Sequence, residues 1–168
     1  MLDISWVIAD AFEKGNKVLL FGNGGSAADA QHLAAEFMNR FLIDRKPLPA
    51  IALHTDTSVL TSISNDFSFT DIFSKQIKAL AAPGDVAWGI STSGNSHNVI
   101  KGLAEARSRG LITVGFSGSG GGAMKDYCDY LLVVDSDDTP RIQEVHILIG
   151  HVVCQIVEDY LFGRSLGR

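Results

Sequence analysis

Short, nearly unbroken apolar runs alternate along this chain with longer stretches in which apolar residues recur at three- and four-residue spacing. The runs at 17–22, 48–53, 85–90, 111–116 and 130–134 predict strands. Helices are predicted at 3–14, 25–42, 55–64, 69–81, 96–109, 120–126 and 139–162, the last being the longest. The strand runs, such as Val18 to Phe21 and Val86 to Ile90, show little polar alternation, which is the pattern of a parallel sheet covered on both faces. Right-handed crossovers then give an α/β three-layer sandwich, doubly wound in the flavodoxin-like manner around a five-stranded parallel sheet. Gly15 and Gly110 stand where helices would stop, and Pro83-Gly84-Asp85 forms a turn ahead of the third strand.

The chain has 168 residues and no linker or low-complexity segment, so residues 1–168 are expected to form one domain. With 46% hydrophobic and 20% charged residues the composition is that of a soluble protein, and no apolar run is expected to approach the ~20 residues that span a bilayer. A net charge of -5, with no cluster of Lys and Arg, argues against a nucleic-acid binder. Met1-Leu2-Asp3 opens without a basic leader, and Cys128 and Cys154 have no metal-ribbon spacing. The expectation is a reduced, cytoplasmic protein with incidental thiols.

Two loops carry the first chemical signal. Gly22-Asn23-Gly24-Gly25-Ser26 follows the first strand, and Ser91-Thr92-Ser93-Gly94-Asn95-Ser96 follows the third. Glycines let backbone N–H groups crowd around an anion, hydroxyls add donors, and the following helix presents its positive end. A phosphorylated ligand is the natural reading. Neither loop ends in the Lys-Ser/Thr of a P-loop. Gly22-x-Gly24-x-x-Ala27 formally matches a dinucleotide fingerprint, but the second strand ends at Leu53-His54 without the required acid, so no nucleotide cofactor is expected. In an acidic chain, amides, hydroxyls and one or two arginines must hold the anion, with Arg40 and Arg141 nearest to the other candidate chemistry. Ser117-Gly118-Ser119-Gly120, after the fourth strand, is either a third such loop or only a turn.

A polar constellation lies beside the loops. His32 and Glu36, four residues apart on one helix, share a face, with Arg40 one turn further. That spacing serves a metal pair or an acid/base pair, and equally a solvated stripe. On the terminal helix Gln143 and His151 lie about 80° apart around the axis and ~12 Å along it, so both can line one cleft at different depths. His151, among valines and isoleucines, is expected to be buried. A lone histidine there is more often a core residue than a catalyst, and His146, His54 and His97 read as core or loop residues.

With Gly22 to His32, Ser91 to Ser96 and Arg141 to His146 in place, the chain resembles the bacterial phosphoheptose isomerases of the sugar isomerase (SIS) domain family. The resemblance covers nearly the whole chain. It implies isomerisation of sedoheptulose 7-phosphate to D-glycero-D-manno-heptose 7-phosphate, an early step toward lipopolysaccharide-core or other surface heptoses. It implies phosphate on Ser91, Thr92, Ser93 and Ser96, with Asn23, Gly24, Ser26, Arg40, Asp66 and Gln143 around the sugar. Glu36 and His151 become the proton-transfer residues, and His32, Glu36, Gln143 and His151 a zinc set. A homotetramer with sites at subunit contacts is implied, although relatives usually have an additional N-terminal helix where this chain has a short segment. A non-catalytic tetramer that binds a replication initiator is similar in length and pattern, but such proteins lack the residues matching Glu36 and His151.

Overall fold

The computed structural model describes residues 1–163. The last five residues assigned to the one domain, 164–168, lie outside those described. The strands are β1 (Val18–Gly22), β2 (Ala50–Ala52), β3 (Val86–Ser91), β4 (Ile112–Ser117) and β5 (Tyr130–Val133). All pair in parallel, in the order β2-β1-β3-β4-β5, which is the flavodoxin-like order. The helices are α1 (Leu2–Glu13), α2 (Gly25–Met38), α3 (Thr57–Asp66), α4 (Ile72–Leu80), α5 (His97–Ser108) and α6 (Thr139–Phe162).

Alternate side chains of the apolar strands feed two separate cores. Val18, Leu20, Trp88, Ile90 and Phe116 pack with α1, α2 and α6. Leu19, Phe21 and Ala87 pack with α4 and α5 on the opposite face. Burial on both faces is why these strands read as continuous runs rather than as alternation.

The expected elements are present, with four changes. β2 is an edge strand of only three residues, because Pro47 and Pro49 lack the N–H groups that a longer ladder needs. The helix expected at 69–81 splits: Ser68 accepts a hydrogen bond from the Thr70 N–H and starts a 3-10 turn, Phe69–Asp71, ahead of α4. The helix expected at 120–126 is a 3-10 turn, Ala123–Tyr127, following three glycines with positive φ. The helix expected to run from 25 to 42 ends at Met38, which leaves Arg40 in an exposed loop rather than one turn beyond Glu36 on the same stripe.

α6 also corrects the expectation about apolar runs. By length and composition it could cross a membrane, its most apolar window having a mean hydropathy of 1.4. Here it packs on α1 and α2, with Ile142, His146, Gly150, Val153 and Val157 turned inward. Cys154 on this helix and the half-buried Cys128 are free thiols, and burial, reinforced by Asp129, pushes Cys128 up to about 12. Burial raises Cys154 as well, which disfavours the nucleophilic thiolate at both positions.

Candidate active site

β1 and β3 are neighbours, and their chains leave in opposite directions to α2 on one face and α5 on the other. This is the switch point of the sheet, where α/β proteins bind ligands. The register pairs Gly22 with Ile90, so the two glycine/serine loops emerge side by side. A reciprocal pair of amide hydrogen bonds, both 2.8 Å, ties Asn23 of the first loop to Asn98 in the first turn of α5. Between the loops lies a cleft of about 280 Å³, lined by Asn23, Gly24, Ser26, Ser91, Thr92, Ser96 and Gln143 among others.

The second loop gathers hydroxyl groups at the start of α5. Ser91 Oγ donates to Ser96 Oγ at 2.9 Å, and the Ser93 hydroxyl accepts from the Asn95 N–H at 3.1 Å. Ser96 occupies the N-cap of α5 without a side-chain cap, and Asn98 Oδ1 accepts the Val99 N–H at 2.9 Å, so the positive end of the helix faces the cleft with the His97 and Asn98 N–H groups at its start. Thr92 and Ser93 also face an adjoining cleft of about 310 Å³ with Ser119, Ser136 and Thr139.

The third glycine-rich segment supports the second loop. Gly118 N–H donates to the Thr92 carbonyl and Met124 N–H to the Gly94 carbonyl, each at 2.9 Å. A Cβ at Gly122 would stand 2.5 Å from the Gly94 backbone, so only glycine permits this approach.

α2 and α6 run parallel from the cleft, with Gln143 over Gly25 and Gly150 against Leu33. Beyond these contacts the chemistry converges. His32 Nε2 lies 2.8 Å from His151 Nε2 and 3.3 Å from Glu36 Oε1, and ligand atoms of all three fall within 4.8 Å of one another. Two imidazole nitrogens and a carboxylate form a donor set that suits a divalent transition metal. Gln143 stands two turns before His151 on α6 and lines the cleft. Asp29, a turn before His32, has one carboxylate oxygen buried without a partner, and burial pushes its carboxyl up against the opposing influence of His32.

Of the two histidines of α6, His146 is a core residue, as its sequence context allows, whereas His151 departs from its expected burial. His146 is fully buried; its Nε2 contacts the Ser117 carbonyl at 3.1 Å, and burial holds it below the ordinary histidine range. His151 is only half-buried, stacked against Phe41 with ring centroids 5.7 Å apart. Arg40 and Asp66 are exposed and do not line the cleft within one chain.

Sequence reasoning missed what fixes the far end of the triad. Arg45 and Glu158, 2% and 1% exposed, form an ion pair at 3.0 Å. Arg45 also donates to the carbonyls of Glu36 and Phe37, each at 2.8 Å, closing the C-terminus of α2. Glu158 accepts the N–H groups of Phe41, Leu42 and Ile43 at 3.1, 2.8 and 3.1 Å. Burial pushes the Glu158 carboxyl up, but these amides and Arg45 outweigh it, and the net direction is down.

A sheet switch point flanked by a hydroxyl-rich loop defines the class, and residues 2–118 match the family model for the SIS domain. The phosphoheptose isomerase of Clostridium acetobutylicum is 56% identical over 160 residues, 95% of this chain and 82% of that protein. Two solved structures superpose closely. A phosphoheptose isomerase from Francisella tularensis does so with a TM-score of 0.91 at 37% identity, and one from Neisseria gonorrhoeae with 0.88 at 43%; each comparison covers 94% of this chain and 84% of the other. The chain belongs to the phosphoheptose isomerase family of SIS-domain proteins and is a sugar-phosphate isomerase.

Proposed function

We propose that the chain interconverts sedoheptulose 7-phosphate and D-glycero-D-manno-heptose 7-phosphate by proton transfer through a cis-enediol. The observation that carries this reading is the meeting of Glu36 and His151 beyond a cleft whose opposite wall is built for phosphate. The seven-carbon chain is the substrate named by the relatives. Its span of about 10 Å from phosphorus to C1, with ~1.5 Å bonds, is comparable to the ~12 Å between Gln143 and His151 along α6.

Ser91, Thr92, Ser93 and Ser96 hold the phosphate with the first N–H groups of α5, and Asn23, Gly24, Ser26 and Gln143 bind the sugar hydroxyls. Glu36 removes a proton from C1 of the ketose, exchanges it with solvent and delivers a proton to C2, while His151 passes a proton between O1 and O2. The C1–H electron pair forms the enediol double bond, and reprotonation at C2 leaves the carbonyl at C1. His32, Glu36 and His151 would hold zinc, with Gln143 as the further residue of the implied set. Zinc, when bound, polarises the carbonyl and steadies negative charge on the oxygens.

We place the enzyme in the cytoplasm as a homotetramer with sites completed at subunit contacts. The surface of one chain supports the assembly: α3 buries no residue, and Leu148 and Tyr160 on the apolar α6 are 61% and 49% exposed. Arg40 and Asp66 would join the site through these contacts. Light scattering should give four times the chain mass. Turnover against a panel of five-, six- and seven-carbon ketose phosphates tests the substrate, and preference for a six-carbon ketose would overturn it. His32→Ala should lose bound metal.

A further inference from the structure

The proton-transfer pair sits on two different helices, and nothing in the hydroxyl loops fixes the distance between them. Glu36 is in the last turn of α2, where a helix normally frays because its final carbonyls lack donors. His151 lies in the middle of α6, and its ring faces a loop that follows the end of α2. A buried network joins these places. Arg45 donates to the carbonyl of Glu36 itself, so the backbone of the carboxylate residue is held by the same guanidinium that pairs with Glu158 on α6. Glu158 stands seven residues beyond His151, two turns along nearly the same face. Its carboxylate gathers three consecutive N–H groups, beginning with Phe41. The Phe41 ring then stacks on His151 at 27° between planes, and His32 makes an edge contact with the same imidazole at 70°.

We infer that Arg45, Glu158 and Phe41 act together as a positioning clamp that sets His151 against Glu36 for proton transfer, with Phe41 as the element that orients the imidazole. This rests on the reading of Glu36 and His151 as the proton-transfer pair. Closing the end of α2 accounts for the Arg45 and Glu158 hydrogen bonds as such; what points to a clamp is that the carbonyl held is that of Glu36 and the first amide gathered is that of Phe41, whose ring stacks on His151. Among the described residues, the three lie outside the lining of the cleft between the hydroxyl loops, so the clamp is expected to act on turnover rather than on phosphate binding.

The test uses the full-length protein with four variants: Phe41→Ala, Phe41→Tyr, Glu36→Gln and His151→Ala. Phe41→Ala should keep the melting temperature within a few degrees and KM within about threefold, while kcat falls about 10- to 100-fold, the range expected from sub-ångström to ångström misplacement of a reacting group. Phe41→Tyr, which keeps the aromatic face, should restore most of the loss. The imidazole proton resonances of His151 should move downfield in Phe41→Ala as the ring current disappears, and stay near their wild-type positions in Phe41→Tyr. An unchanged kcat in folded Phe41→Ala, or no movement of the His151 resonances, overturns the clamp. If Glu36→Gln and His151→Ala keep wild-type turnover, the assignment of the pair itself fails. If these two lose turnover and Phe41→Ala does not, only the clamp fails.

Discussion

Gly150→Ala examines the spacing of α2 and α6 with one methyl group. Gly150 precedes His151 and lies against Leu33, and a Cβ there would stand 2.7 Å from both Leu33 Cδ atoms and 3.2 Å from Cγ. Ordinary carbon contacts need about 3.5–4.0 Å, so the helices must separate by about 1 Å or Leu33 must leave its rotamer. Overpacking of this kind costs about 1–3 kcal/mol, against which Ala in a helix interior gains about 1 kcal/mol over Gly. The net loss is about 0–2 kcal/mol, and at 2–4 °C per kcal/mol the melting temperature should fall by less than about 8 °C. The functional consequence is larger. His32 and His151 meet at 2.8 Å directly beside this contact. A 1 Å separation breaks that contact and should lower kcat about 100-fold, with weaker metal retention. Thermal melts, steady-state kinetics and metal content of purified protein read all three effects. Leu33→Val in the same chain makes room for the methyl group and should recover a large part of the activity, a coupling visible in a double-mutant cycle. Wild-type kinetics in Gly150→Ala would show that helix spacing does not set the site.

Removing hydroxyls from the phosphate loop, as in Ser91→Ala with Ser96→Ala, should raise KM for the sugar phosphate about 10-fold through loss of hydrogen bonds to a charged group, with little change in stability. Inorganic phosphate inhibition should weaken in parallel. Asn98→Leu unties the two loops and leaves the Asn23 amide unpaired in the cleft wall, so a cost of about 1–3 kcal/mol in urea unfolding is expected. Stability should also fall in acid. Glu158 and Asp85 both sit below the ordinary carboxylate range; for Asp85, burial is outweighed by Lys17 and by the N–H groups of Ala82 and Lys17. A carboxyl lowered on folding stabilises above its unfolded pKa and loses that contribution as pH falls through its folded pKa. The urea midpoint should therefore hold down to about pH 5 and decline below about pH 4. Asp85→Asn should lower the plateau and flatten the decline; a decline unchanged in that variant refutes the assignment.

The legible part of this protein is the part encoded locally. Apolar runs such as Val18 to Phe21 announce buried parallel strands because both faces of each strand are covered, and glycines with hydroxyls after β1 and β3 announce the two loops that line the cleft. His32 and Glu36 are readable as a pair because four residues make one helical turn. The end of α2 was not readable. Apolar spacing continues through Phe41 and Leu42, but the helix stops where Arg45 closes its carbonyls and Glu158, more than a hundred residues later in sequence, captures the next three amides. The partnership of Asn23 with Asn98 is hidden for the same reason, since 75 residues separate two amides that only the sheet order brings together. The half-exposure of His151, expected to be buried, was likewise beyond local pattern, while His146 is buried as a core reading allows. Both stand among apolar residues, and only the angle of α6 over the sheet decides which ring meets Phe116 and which meets Phe41.

The central claim is that Glu36 and His151 move a proton through an enediol while the Ser91–Ser96 loop holds the phosphate. Running the reaction with sedoheptulose 7-phosphate in D2O and following the product by NMR addresses it directly. The wild-type enzyme should place solvent deuterium at C2 of the aldose. Glu36→Gln should fold and still bind the ketose phosphate, but show neither turnover nor exchange at C1. Deuterium incorporation at the wild-type rate in folded Glu36→Gln would contradict the account.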